Sequence, residues 1–405
     1  MRLRVLVLTP WYPTDTNPTQ GLFIEQQVRA LSEAGCEVTV VSPRPRWLPV
    51  PGREKRQWRQ RLPRRSQVGG REVWLPRYWL FPLGLGWPTA GSRAWLAMRR
   101  LVLGLHARIN FDVVHGHELL PVGLAASSLK KELDLPIVLT LHGEDPFFTT
   151  RSGTTEYNRL RDTLWASIDH VGVVGRPLLK YAGTLGCPGE RVSVIPNGVE
   201  VHPTPPVSAG YHDVAGNGRL VLSVSNLHQS KGIDLNLRAL RALVDEGLSD
   251  LHYVVIGEGP DRAAFERLTE RLGLRDRVTF LGRLPREETI SWMKACDLFS
   301  LPSWQEAFGI VYLEAMAQGK PVIGCRGQGA EDIVTHGVNG LLVEPHDVVG
   351  LATAMWRLLM EPSLAEALGR AGAERAGEFS WARNAQGYGQ LYATVTERAA
   401  QRRTT

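Results

Sequence analysis

Glu306 and Glu314 are the side chains of this 405-residue chain whose types and spacing most directly suggest chemistry. They lie in residues 301–324, L-P-S-W-Q-E-A-F-G-I-V-Y-L-E-A-M-A-Q-G-K-P-V-I-G. A short apolar run at 297–301 breaks at Pro302-Ser303. The segment 310–317 after Gly309 stays apolar until Gly319-Lys320-Pro321. This pattern predicts a strand, a turn, a helix closed by Gly and Pro, and a second strand. Glu306 falls in the turn, and Glu314 interrupts the apolar helix, where a carboxylate is costly unless paired. The helix start offers free N–H groups and a positive dipole end, which suit an anion. Hydroxyls at one carboxylate, an anion at the helix start and hydroxyls at the other carboxylate describe a sugar nucleotide.

Further polar groups stand at the ends of apolar runs. Lys231-Gly232 precedes an amphipathic stretch reaching about Glu246, and a lysine there can neutralise a diphosphate that also receives helix N–H groups. Predicted strands at 111–115 and 136–141 end in His115-Gly116-His117-Glu118 and His142-Gly143-Glu144-Asp145. Ligands of open α/β sheets sit at the carboxyl ends of strands, so these two clusters point to a shared crevice. His115 and His117 have the spacing of metal ligands, but no Cys/Asp set accompanies them. Asp145 is placed to orient His142 or to receive an acceptor hydroxyl.

The elements that must position these residues alternate β and α. At this length two domains are expected: 1–200, a Pro/Gly-rich linker at 201–218, a second domain at 219–378, and a closing helix at 379–405. Hydrophobic content of 43% and charged content of 22% are those of a soluble globular protein. No run approaches a membrane helix, and the first residues read as a strand rather than a leader. Cys36, Cys187, Cys296 and Cys325 are scattered, as in reduced cytosolic thiols. Residues 1–200 hold 26 Lys and Arg against 17 Asp and Glu, so the first half is the basic one. Residues 43–88 form the least regular segment. Its 44–77 portion interleaves eleven Lys/Arg with Trp47, Trp58 and Trp74 against only Glu54 and Glu72. That composition suits an anionic lipid surface as readily as a solvated loop, and no nucleic-acid motif accompanies it. The dinucleotide glycine fingerprint is absent.

The string P-S-x-x-E-x-F-G-x-x-x-x-E-A-M-A-x-G-x-P-V around Glu306 and Glu314 resembles the signature of retaining glycosyltransferases of family 4. The resemblance spans essentially the whole chain and is strongest at 278–345. It implies an α/β chain of the GT-B fold: two Rossmann-like β/α/β domains facing across a deep cleft, with the C-terminal helix crossing back to the first. By resemblance Gly21 lies beside the donor phosphates, Lys231 meets the β-phosphate, and His142, in T-L-H-G-x-D, contacts the sugar near the reacting carbon. Glu306 would hold sugar hydroxyls and Glu314 the ribose. Ala307, Phe308, Gly309 and Ile310 complete that donor turn, Gly257 and Glu258 approach the base, and Gly327 belongs to a glycine-rich loop holding sugar and diphosphate. Asn226 stands where the family usually has arginine, which leaves leaving-group stabilisation to Lys231 and backbone amides. His115, His117 and Asp145 are assigned to the acceptor side. The resemblance implies no metal and no cofactor, a nucleotide-sugar donor, and a glycan or lipid-linked acceptor of cell-surface polysaccharide or glycolipid synthesis. It also implies a cytoplasmic or peripheral-membrane setting. A nucleotide-sugar epimerase and a non-catalytic sugar-nucleotide sensor are the alternatives.

Overall fold

The computed structural model describes residues 2–15, 17–47, 63–81, 86–145, 148–149, 153–200 and 218–404. Residues Met1–Asn197 and Trp381–Thr405 form one compact unit, and Gly198–Ser380 form a second. Of the expected 201–218 linker, residues 201–217 lie outside the described residues.

The first unit contains β1 (Arg4–Leu8), β2 (Glu37–Val41), β3 (Arg44–Trp47), β4 (Arg65–Val68) and β5 (Arg71–Trp74). β6 (Arg77–Leu80), β7 (Val113–His117), β8 (Ile137–Leu141), β9 (His170–Val173) and β10 (Val192–Val194) follow. Eight of them form one sheet in the order β10-β9-β8-β7-β1-β2-β5-β4, and β3 pairs with β6. Pairing is parallel throughout except between β4 and β5. β1 and β8 read as nearly unbroken apolar runs because they are buried along almost all their length. The strand order reverses between β1 and β7, and such a switch point brings the loops at the strands' carboxyl ends to one place.

The described parts of 43–88, residues 43–47, 63–81 and 86–88, are more regular than their composition suggests. β5 joins β2 with Val73 opposite Val40, and both are fully buried. In β6, Arg77 and Trp79 face outward while Tyr78 and Leu80 face inward. Arg44 is no surface charge either: its buried guanidinium donates to Pro10 O, Tyr12 O and, at 2.9 Å, Gln20 Oε1. The remainder of the basic segment, residues 48–62, lies outside the described residues.

The closing helix, Trp381–Thr404, belongs to the first unit's core. Trp381, Ala385, Tyr388, Leu391, Tyr392 and Val395 are buried on one stripe and share a cluster with Val5, Val7, Ile24 and Leu31. Tyr388 lies flat against β9, where a Cβ on Gly172 would stand 2.5 Å from the tyrosine hydroxyl.

The second unit has β11 (Arg219–Val224), β12 (Leu251–Ile256), β13 (Val278–Gly282), β14 (Leu298–Ser300), β15 (Val322–Cys325) and β16 (Leu341–Val343). All are parallel, in the order β13-β12-β11-β14-β15-β16. This is the doubly wound arrangement, with its switch point between β11 and β14. Behind the switch point a buried amide ties the strands together. Asn236 Nδ2, on helix Ile233–Asp245, donates to Ser223 Oγ (3.0 Å), Tyr253 Oη (2.9 Å) and Ser300 O (3.0 Å).

Tyr388→Ala should destabilise the first unit by about 3–5 kcal/mol, the usual cost of emptying a buried aromatic site. Tyr388→Phe, which deletes one buried hydrogen bond, should cost about 1 kcal/mol. Urea unfolding of both variants checks this, and equal losses would show that the packing argument is wrong.

Candidate active site

Three loops of the second unit meet at its switch point, and backbone contacts decide their form. Lys231 closes a short 3-10 turn, Gln229–Lys231, after β11. Gly232 then caps helix Ile233–Asp245 with φ 71°, and a Cβ there would collide with Pro302 O. Only glycine tolerates both demands. The loop after β14 zips onto this turn, Trp304 N–H donating to Ser230 O at 3.0 Å and Ser303 Oγ to the same oxygen at 3.2 Å. The loop after β15 closes from the other side: Gly329 N–H donates to Glu306 O (2.8 Å), and Glu306 N–H donates to Gln328 Oε1 (3.2 Å).

This clamp brings Lys231 Nζ to 2.8 Å from Glu306 Oε2, with side chains only 20% and 13% exposed. Ala307 and Gly309 flank the pair partly buried, while Phe308 packs inward. Helix Ile310–Ala317 starts at Gly309, shortly after Glu306 in the chain, and its first turn leaves N–H groups without intrahelical partners. Glu314, buried on that helix, is held by Arg286 Nη1 at 2.9 Å, and Glu200 lies 4.0 Å from the same guanidinium. The predicted partner for the costly carboxylate is therefore an arginine on another helix, Arg286–Ala295, which no sequence spacing identifies.

Asn226 is exposed at the start of the β11 loop, and Gly327 is exposed in the β15 loop. Gly257 follows β12 and donates its N–H to Gly282 O at 2.8 Å. Glu258 is committed to Arg262 on the following helix. The geometry thus gathers Lys231, Glu306 and the 307–310 turn into one cluster, with Glu314 further along its helix, and sets Gly257 and Glu258 at the end of β12.

In the first unit the polar ends of β7 and β8 are adjacent, because His117 stands opposite Thr140 in the ladder. His117 Nδ1 and His142 Nε2 are 2.9 Å apart, so one ring donates and the other accepts. Phe23, two residues after Gly21, covers the His142 ring with centroids 4.7 Å apart, and Gly21 caps helix Leu22–Glu33. His115 corrects its acceptor-side assignment. It is fully buried, with Nδ1 2.6 Å from Tyr392 Oη and Nε2 2.7 Å from Thr140 Oγ1, so it supports the cluster rather than touching a ligand. Thr140 in turn meets Tyr388 Oη at 2.6 Å. Both tyrosines come from the closing helix, 248 and 277 residues away in sequence from Thr140 and His115, a link that only the folded chain reveals. His117 is also fully buried. Asp145 is partly exposed, its amide donating to Tyr181 Oη at 2.9 Å.

Burial pushes His142 and His115 down to about 3 and holds His117 well below its ordinary value, His115 also feeling His142, and His117 feeling both other rings. His142 is therefore a neutral hydrogen-bonding group, not a cation or an acid at ordinary pH. Among the described residues, no group of three or more His, Cys, Asp or Glu side chains is arranged to hold a metal ion.

The sequence profile of glycosyl transferases group 1 matches residues 211–375, and that of glycosyltransferase family 4 matches 20–202. The putative teichuronic acid biosynthesis glycosyltransferase TuaC of Bacillus subtilis is 27% identical over 407 residues, covering 98% of this chain and 99% of TuaC. Among solved structures, sucrose-phosphate synthase from Thermosynechococcus elongatus superposes with a TM-score of 0.77 at 22% identity, covering 97% of this chain and 99% of that one. Anabaena HepE in complex with UDP gives 0.71 at 19% identity, covering 97% and 100%. The chain is a glycosyltransferase of the GT-B fold, with two Rossmann-like units. Within that class it belongs to the family 4, group 1 glycosyltransferases.

The neutral histidines carry a sign for stability. The unfolded chain takes up their protons near the ordinary value of 6.5, whereas the folded rings resist protonation until about 3. Stability is thus intact above about pH 6.5 and lost as pH falls through that range. Ring 15N resonances of the three histidines should remain those of neutral imidazole at about pH 5. A ring titrating near 6.5 would contradict the burial argument.

Proposed function

We propose that the protein is a retaining glycosyltransferase that moves a hexose from a nucleotide-diphosphate sugar to a glycan or lipid-linked acceptor of cell-surface polysaccharide or glycolipid synthesis. The observation that carries this reading is the Lys231–Glu306 pair, 2.8 Å apart at a helix start on the switch point of the second unit. Each partner has a ligand counterpart: a departing diphosphate takes the ammonium, and sugar hydroxyls take the carboxylate. Lys231 and the first-turn amides of helix Ile310–Ala317 then stabilise charge on the leaving phosphate, an electrostatic contribution that Asn226 does not supplement. Glu306 orients the sugar, Glu314, aligned by Arg286, takes the ribose, and neutral His142 accepts or donates one hydrogen bond at the sugar. No metal is assigned to these steps. The full-length likeness to a teichuronic acid biosynthesis glycosyltransferase supports the polysaccharide role. The UDP carried by HepE supports a nucleotide-linked donor.

Peripheral attachment to an anionic membrane belongs to the same reading. Among the described residues no helix is long and apolar enough to cross a bilayer. The rings of Trp79 and Phe81 are 42% and 37% exposed, with the guanidiniums of Arg46 and Arg93 at 4.3 Å and 4.6 Å from their centroids. Such aromatic-cation surfaces suit the headgroup layer.

Calorimetry with UDP, GDP and ADP tests the donor half. One nucleotide should bind, and Glu314→Ala should weaken it by about 1.5–3 kcal/mol, as for hydrogen bonds to a charged group. Binding untouched by Glu314→Ala refutes the donor assignment. Release of free nucleotide diphosphate only with an acceptor separates transfer from epimerisation. Co-sedimentation with phosphatidylglycerol vesicles should be strong at low salt and fall as salt rises; equal sedimentation with phosphatidylcholine vesicles counts against the surface.

A further inference from the structure

Trp11 follows β1 in the chain, and its indole is 46% exposed. A single exposed tryptophan signifies little. What sets this one apart is the main chain that carries it. Fully buried Thr9 accepts through Oγ1 from Trp11 N–H at 3.1 Å and donates to Trp11 O at 2.8 Å. The carbonyls on either side of Trp11 go to one guanidinium: buried Arg44 donates to Pro10 O at 3.2 Å and to Tyr12 O. Its Nη1 also donates to Gln20 Oε1 at 2.9 Å, which draws the far end of the loop to the same point. Gly21, at φ 70°, completes the hold, because a Cβ there would stand 2.6 Å from Trp11 C and O.

Taking a guanidinium out of water costs free energy, and here it fixes the main chain on both sides of an exposed ring. The held stretch lies at the carboxyl end of β1, on one side of the first unit's switch point, where open α/β sheets bind their ligands. Two contacts lead from it to the histidine cluster. Gly21 meets the Trp11 main chain, and Phe23, two residues on, covers the His142 ring with centroids 4.7 Å apart.

The face of an indole is apolar, electron-rich and uncharged. A pyranose turns weakly positive axial C–H bonds to one face, which lie flat on such a ring while the hydroxyls point outward from the edge. Phosphate gains nothing from this surface. A lipid headgroup layer takes tryptophan in many orientations and needs no fixed main chain, whereas a ligand of fixed shape binds better to a surface ordered before it arrives.

We propose that Trp11 is a substrate-contacting residue, a platform on which a pyranose ring of the acceptor stacks. The inference rests on the transfer reading and narrows it: the acceptor presents a sugar ring, not a bare lipid phosphate, to the first unit.

Fluorine NMR of the full chain labelled with 5-fluorotryptophan tests this. The Trp11 resonance is the one missing from Trp11→Phe, a change at a half-exposed side chain outside the buried core. Methyl β-D-glucopyranoside and methyl β-D-galactopyranoside are the probes. At least one should move that resonance saturably, with a dissociation constant on the order of 10 mM, the weak affinity of a single stacked ring. Glycerol at the same concentrations has hydroxyls but no ring face and should leave it in place. The proposal is overturned by a Trp11 resonance that neither glycoside moves, or that glycerol moves equally. It is overturned too by one that shifts with phosphatidylglycerol vesicles and not with the glycosides. Nucleotide calorimetry on the same protein reports separately on the donor. A nucleotide that binds while Trp11 stays silent refutes this inference alone. A responding Trp11 with no bound nucleotide supports the ring site and counts against the transfer reading.

Discussion

The ion pair between Lys231 and Glu306 depends on a close approach of two backbones more than on its own charges. Pro302 O occupies the space where a side chain on residue 232 would begin, and this contact lets the turn after β11 and the loop after β14 share hydrogen bonds. Residue 231 then points its ammonium at residue 306 rather than into solvent. Two partly desolvated charges gain little net stability from each other. What they gain is placement: each is held against the other and neutralised beside the start of helix Ile310–Ala317. The buried Asn236 cluster fixes the same two strands from below, so the separation of the loops is set by the sheet itself.

The first unit builds its polar cluster on a different principle. It uses neutral rings in a chain of hydrogen bonds running from Tyr392 through His115 to Thr140 and Tyr388, with His117 and His142 stacked beside it at 5.2 Å between centroids. A buried polar network of this kind costs free energy unless its members are satisfied. The closing helix supplies two of the hydroxyls that satisfy it. The last elements of the chain thereby become structural support for residues near position 142, which explains why Trp381–Thr404 belongs to the first unit's core.

How much of this was legible depended on distance along the chain. The strand-turn-helix around Glu306 and Glu314 could be read because its signals are local: an apolar run, a proline break, a glycine cap. Strands such as β1 and β8 could be read because burial on both faces leaves near-continuous Val, Ile and Leu. β4, β5 and β6 were hidden, since arginine and tryptophan on their outer faces resemble a solvated loop, and the alternation shows only once Val73 is seen against Val40. Arg286 for Glu314, and Tyr392 for His115, are partners that tertiary structure alone brings together. The strain at Glu118, held at φ 69° and ψ 152°, left no trace in sequence, because a glutamate at a glycine-like dihedral angle is written like any other glutamate.

The two clusters differ in electrostatic character, and the difference suits the donor and acceptor roles proposed for them. A departing diphosphate gathers negative charge, so the second unit places an ammonium and unbonded amides at its switch point. A hydroxyl entering as nucleophile begins uncharged and must lose a proton. Around it a fixed cation would favour anions over alcohols. The neutral imidazoles place no such cation there. The same burial that drives His142 towards its neutral form drives Glu118 towards its protonated one. A single physical cause, enclosure by protein at the ends of β7 and β8, therefore acts on both groups.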